Sequence, residues 1–156
     1  MKKIKFLLLN LLILVILSNC GFKRFNNAES QNYSIQNINI EGEKKIGYFL
    51  KNQVLLSSVS KSKNPINIDL LIDKKKEQLE KDISNKITKY RLTLKVSAEI
   101  KNLRKDKTLE RTFVQSEGYP VGNSHSITLK NEKKAANNLA EKISEDLIKY
   151  LRVNFK

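Results

Sequence analysis

Residues 89–101 read Lys-Tyr-Arg-Leu-Thr-Leu-Lys-Val-Ser-Ala-Glu-Ile-Lys, and this stretch decides the fold. Tyr90, Leu92, Leu94, Val96, Ala98 and Ile100 fall on one parity. Lys89, Arg91, Thr93, Lys95, Ser97, Glu99 and Lys101 fall on the other. Alternation at period two predicts a strand with one buried face. A slip of one residue would expose the whole apolar face, so the register is firmly set. Such a strand needs strand neighbours and a cover over its apolar side.

Both are found by working outward. After the strand, Asn102 to Lys107 reads as a charged turn, and Thr108 to Tyr119 as a weaker strand containing Leu109, Phe113 and Val114. Before it, Ser84-Asn85-Lys86 suits a turn. Ile66, Ile68, Leu70 and Ile72 alternate with Asn67, Asp69 and Leu71, which predicts another half-buried strand. The charged stretch Lys74 to Asp82 fits either a short solvated helix or a continuation of that strand. Tyr33 to Ile40 is strand-like, with a parity change between Ile35 and Ile38 that suits a bulge. Gly42 ends it.

Two segments switch to helical spacing. Ile46, Phe49, Leu50 and Val54 form a stripe within Lys44 to Ser58. Ala136, Leu139, Ala140, Ile143, Leu147, Tyr150 and Leu151 form a second stripe near the C-terminus. Asn123 to Ser126 offers caps for that helix without a strict capping box. The expected fold is therefore α+β, in the order βαβββα. It is a two-layer sandwich whose four-stranded, mostly antiparallel sheet is covered on one face by two helices. The opposite face is expected to be polar and rich in Lys, Arg and Thr.

The N-terminus has a different character. Lys2, Lys3 and Lys5 precede a run from Phe6 to Leu17 that is apolar except for Asn10, and the chain's single cysteine follows at Cys20. A basic start, a short apolar run and a small-residue site make a secretory signal. A spanning helix wants about 20 apolar residues, and this run is shorter. An ordinary cleaved signal, or an uncleaved anchor, with an incidental cysteine fits the same layout. Because the cysteine closes the signal, the pattern also resembles a bacterial lipoprotein signal. That resemblance implies a covalent N-acyl diacylglycerol on Cys20 and no other cofactor. Gly21 in place of Asp implies, by the same resemblance, the outer membrane facing the periplasm. The expected organisation is a signal over 1–19, a lipidated tether over 20–32 and one sandwich domain over 33–156.

With Cys20 lipidated, the mature chain has no disulfide and depends on its core for stability. Five glycines, two prolines and no tryptophan argue against repeat and Pro-rich architectures. The formal charge of +14 favours anionic partners such as phosphorylated glycolipids and lipid headgroups. Nucleic acid is not expected in that compartment. Lys, Asn and Ile are all abundant, so composition itself also accounts for part of the excess charge.

No catalytic or metal site is expected. His125, the only histidine, stands between Ser124 and Ser126, and adjacency in sequence does not make a triad. It reads as a polar helix entry. No HExxH, P-loop or GxGxxG is present. Asp69 and Asp73 share the polar parity of their strand, and no second carboxylate evidently converges on them.

The Cys20-Gly21-Phe22 start, the βαβββα order, the long hairpin into Tyr90-Arg91-Leu92 and the Ala-rich closing helix Lys134 to Leu151 together resemble the LPS-assembly lipoproteins (LptE). The resemblance implies two helices against a four-stranded sheet, seated inside a large outer-membrane β-barrel, LptD. There the protein would be plug, assembly partner and lipopolysaccharide-binding element. It also implies that Lys74 to Asp82 extends the second strand and that Ser84 to Lys86 is the hairpin tip. By family position, Lys81, Lys86, Lys89 and Arg91 are the candidate phosphate contacts, with Lys130 near the start of the last helix. Each also reads as a solvated surface cation. A generic periplasmic adaptor lipoprotein, auxiliary to a lipid transporter or activating a peptidoglycan synthase, is the other non-catalytic reading.

Overall fold

A computed structural model of the chain describes residues 32–155. The expected signal, Cys20 and the tether up to residue 31 lie outside the described residues. The elements run β1 (Tyr33–Gly42), α1 (Lys44–Leu56), β2 (Asn64–Lys81), β3 (Ile87–Asn102), β4 (Lys107–Pro120) and α2 (His125–Asn154). They form one sheet in the order β1-β2-β3-β4. β1 lies parallel to β2, and the other pairings are antiparallel. This is the expected βαβββα sandwich.

Parity is what builds the core. Leu92, Leu94, Val96, Ala98 and Ile100 of β3 are buried, as are Ile66, Ile68, Leu70 and Ile72 of β2. Beneath the helices they meet Ile46, Leu50 and Val54 of α1 and Leu139, Ile143, Leu147 and Leu151 of α2. The bulge expected in β1 lies between Ile35 and Asn37. In β4, Phe113 turns inward while its neighbour Val114 is exposed on the other face.

α1 approaches the sheet through Gly47. A Cβ there would lie 2.2 Å from Ile40 Cγ2 and 2.9 Å from Ile72 Cδ1. Gly42 makes the preceding corner with φ +88°, where a Cβ would strike the carbonyl oxygen of Ile72.

Two boundaries differ from the sequence reading or settle it. Lys74 to Lys81 continues β2 as strand, because β3 pairs with it as far as Lys81↔Ile87, with two register shifts after Gln78. α2 begins at His125, within the Asn123 to Ser126 stretch expected to cap it and eleven residues before the apolar stripe opens at Ala136. Its start is set by polar bonds and not by hydrophobic spacing. The Ser124 hydroxyl accepts from the Ile127 amide at 3.3 Å, and Thr128 Oγ1 accepts from the Gly122 amide at 3.0 Å. No described helix is long and apolar enough to cross a membrane.

The sandwich has two unlike ends. At one, Asn32 and Tyr33, the loop 57–64, the β3–β4 turn and the end of α2 come together. Asn64 Nδ2 donates to the Asn32 carbonyl at 2.8 Å, the Tyr33 and Ser57 hydroxyls are 2.9 Å apart, and the Tyr33 and Phe155 rings lie 6.4 Å apart. At the other, β2 and β3 run on past the end of β1 as a hairpin arm turning at residues 82–86.

Candidate functional site

The helix-free face of the sheet is built by register. Asn39, Asp69, Glu99 and Glu110 stand opposite one another across all four strands. Three carboxylates therefore stand side by side at the strand spacing of about 5 Å. Lys101 bridges two of them, 3.1 Å from Glu99 and 3.7 Å from Asp69, and Glu99 holds its ammonium above the usual lysine range. Glu99 is thus the second carboxylate beside Asp69 that the strand pattern alone did not reveal. The face is also of mixed sign, not simply basic, because β2 and β4 bring acids beside the Lys, Arg and Thr of β3. A shallow depression of about 630 Å³ lies over this row, lined also by Glu41, Ser97 and Thr112. Among the described residues no group of His, Cys, Asp or Glu is arranged to hold a metal ion.

The hairpin arm brings four of the five expected cations together. Its tip is held by Asp82, whose Oδ1 accepts from the amides of Ser84 at 2.8 Å and Lys86 at 2.9 Å. Asn85 takes φ 62° in the turn, and Ile83 is fully exposed at the apex. Lys81 and Lys86 flank the turn and are exposed. Lys89 is ion-paired to Glu80 at 2.9 Å. Arg91 stands opposite Glu77, which itself binds Lys75 at 2.7 Å. Lys130 is exposed in the first turns of α2. It is at the same end, since Asn131 Nδ2 donates to the carbonyl of Pro120 and Pro120 lies opposite Lys89. His125 is the exposed first residue of α2, as a polar helix entry would be.

One cluster was not foreseen. Glu132 of α2, with a side chain only 17% exposed, takes Lys76 Nζ at 2.8 Å and the Tyr119 hydroxyl at 3.0 Å on Oε2. Lys74 Nζ lies 3.5 Å from Oε1. The Lys76 ammonium also sits 4.3 Å from the Tyr90 ring centroid. The hydrogen bond from Lys76 outweighs burial and holds the Glu132 carboxyl below the usual carboxylate range. The same bond holds Lys76 above the usual lysine range, while burial pushes the Tyr119 phenol up. The sequence signal is faint: Glu132 sits four and seven positions before Ala136 and Leu139, on the buried stripe itself. Beside the cluster, Ile46, Phe49, Leu129 and Ala136 line a groove of about 320 Å³ between the helices.

No family model matches the chain, and no curated protein matches it in sequence. Solved structures do match in shape. The solution structure of uncharacterized lipoprotein B from Nitrosomonas europaea has a TM-score of 0.57 at 14% identity, covering 80% of this chain and 87% of that one. A minor lipoprotein from Acinetobacter baumannii has a TM-score of 0.51 at 15% identity, covering 77% and 94%. The chain shares its fold with bacterial lipoproteins. A Xanthomonas campestris protein is comparable in shape, with a TM-score of 0.50 at 12% identity over 82% of this chain and 89% of that one.

Proposed function

We propose that the protein is a lipid-anchored lipoprotein of the outer membrane, facing the periplasm. It acts without catalysis as plug and assembly partner of the β-barrel LPS translocon, LptD. The observation that carries this reading is the uncovered sheet face. It runs across four strands as rows of Asn, Asp, Glu, Lys, Ser and Thr, interrupted by exposed Leu71 and Val114, and the hairpin arm extends it past β1 and α1. A wide barrel has a polar lumen, where such side chains find hydrogen-bonding partners that a lipid or an apolar surface would deny them. The fold shared with lipoproteins and the cysteine closing an N-terminal signal support the same reading.

Within it, Lys81, Lys86, Lys89, Arg91 and Lys130 meet lipopolysaccharide phosphates through charge-assisted hydrogen bonds. Lys81 and Lys86 are the better placed, because Lys89 and Arg91 already face Glu80 and Glu77. Co-purification from detergent-solubilised envelopes tests the reading. A heat-modifiable outer-membrane barrel recovered in near-equal amount is the expected result. Recovery of an inner-membrane transporter or a peptidoglycan synthase in its place would overturn it in favour of a periplasmic adaptor.

A further inference from the structure

The end from which the tether leaves has its own surface chemistry. Four segments meet there: 32–34, 57–64, 102–107 and 152–155. Besides the Tyr33 contacts, the Leu103 amide donates to the Pro65 carbonyl at 2.9 Å. Asn64, Asn102, Lys105, Lys107, Asn154 and Phe155 line one small cavity. In these segments Lys61, Lys63, Arg104, Lys105 and Lys107 are exposed and Arg152 is partly exposed. Asp106 is the one acid among them. Interleaved with the cations are large apolar side chains left in solvent: Leu56 at 82% exposure at the edge of this end, Val153 at 60% and Leu103 at 52%.

The opposite end also exposes an apolar side chain, Ile83, between Lys81 and Lys86, but it carries more acid. Around the hairpin tip Glu77, Glu80 and Asp82 offset the lysines, and two ion pairs close between neighbours. Cations mixed with protruding apolar side chains suit the headgroup layer of an anionic bilayer, where charge meets phosphate and apolar groups reach the acyl boundary. Position supports the same partner. Cys20 lies twelve residues before Asn32, so a fully extended tether spans at most about 40 Å. An anchor on that leash holds this end of the domain nearest the membrane.

We infer that the tether end of the domain, through Lys61, Lys63, Arg104, Lys105 and Lys107 with Leu56, Leu103 and Val153, seats on a bilayer of anionic phospholipid. The lipid and the patch then act as two attachment signals for the chain outside a barrel, with the hairpin arm at the far end of the domain. This inference rests on the lipid anchor of the proposed function and not on its barrel partner.

The test uses the full lipidated chain in vesicles of phosphatidylglycerol and phosphatidylcholine, after intact-mass measurement of Cys20. With Cys20 acylated, Leu56→Cys, Leu103→Cys or Ile83→Cys each supplies one free thiol for an environment-sensitive dye, read by quenching from spin-labelled lipid. Dyes at 56 and 103 are expected to be quenched at least about threefold more than the dye at 83. That difference should collapse in pure phosphatidylcholine, at high salt, and when the five lysine and arginine positions are changed to Gln. Each cation at such a surface strengthens attachment about fivefold, so the loss is large. Equal quenching at 56 and 83, or indifference to lipid charge and salt, overturns the inference. If Cys20 proves bare, flotation of the unlabelled chain with the same two vesicle types decides the matter. Binding only to the anionic vesicles upholds the patch while refuting the anchor, and binding to neither refutes both.

Discussion

Glu132→Gln offers the sharpest test of how the hairpin arm is fastened to the core. The carboxylate accepts from Lys76 at 2.8 Å and from Tyr119 at 3.0 Å, with Lys74 at 3.5 Å, and it is largely shielded from solvent. A hydrogen bond to a charged group contributes about 1.5–3 kcal/mol, and an exposed ion pair about 0–1 kcal/mol. The Lys74 and Lys76 side chains are 32% and 37% exposed, so the larger range must be discounted for screening. Glutamine keeps one acceptor for Tyr119. The expected loss at pH 7 is then about 1–2 kcal/mol. Its pH dependence follows from the lowered pKa of Glu132. The folded chain binds fewer protons than the unfolded one as pH falls below the ordinary carboxylate value of 4.5. The stabilisation is full above that value and is lost as pH drops through the folded-state pKa. Urea denaturation followed by circular dichroism at pH 7 and at about pH 3 should show the gap between wild type and Glu132→Gln narrowing in acid. A gap of the same size at both pH values would refute the electrostatic account. So would a double-mutant cycle with Lys76→Met giving a coupling under about 0.3 kcal/mol.

Three further outcomes follow from other parts of the molecule. Gly47→Ala should lower the melting temperature although alanine is the better helix former, because its Cβ would press on Ile40 and Ile72. The net cost is about 1–3 kcal/mol, read by thermal denaturation. Asp82→Ala should remove two bonds at the hairpin tip and speed amide exchange at Ser84 and Lys86 by about tenfold, with exchange in Leu94 to Ile100 unchanged. Cys20→Ala should leave the fold intact but let a high-salt wash, which screens the cationic patch, release the protein from membranes. Retention after a high-salt wash, with the signal removed, would contradict the lipid anchor.

How much was legible depended on whether a residue's role was local or relational. The strands at 66–72 and 90–100 and both helical stripes announced themselves, because one buried face imposes a period on the sequence. The bulge after Ile35 could be read from a change of parity alone. The strand character of Lys74 to Lys81 could not, since both of its faces are polar and no apolar alternation survives. Only the facing residues of β3 reveal it. The carboxylate row was hidden for a related reason: Asp69, Glu99 and Glu110 belong to three strands and become neighbours only through register. The start of α2 falls within the Asn123 to Ser126 stretch that offered its caps, but the choice of Ser124 was not legible, because a serine hydroxyl and a threonine set it.

The same division between covered and uncovered strand bears on function. α1 spans thirteen residues, about 20 Å, and β1 ten, whereas β2 runs for eighteen residues, about 60 Å. Burial in β2 therefore stops at Ile72, and in β3 it begins only at Leu92, which faces Lys76. Beyond that point the early turns of α2 back the sheet, and Glu132 with Lys76, Tyr90 and Tyr119 forms the seam. A strand polar on both faces holds its register weakly, and the shifts at Gln78/Glu80 and Glu80/Lys81 fall in this stretch. The arm thus contributes little to the core and is free to be shaped by whatever surrounds it. An arm placed there only to stabilise the fold would bury apolar surface; this one presents charge on both sides. Lys81→Gln and Lys86→Gln should accordingly leave the urea midpoint almost unmoved while weakening a partner or ligand that grips the arm. A large fall in stability from either change would mean that the arm belongs to the core after all.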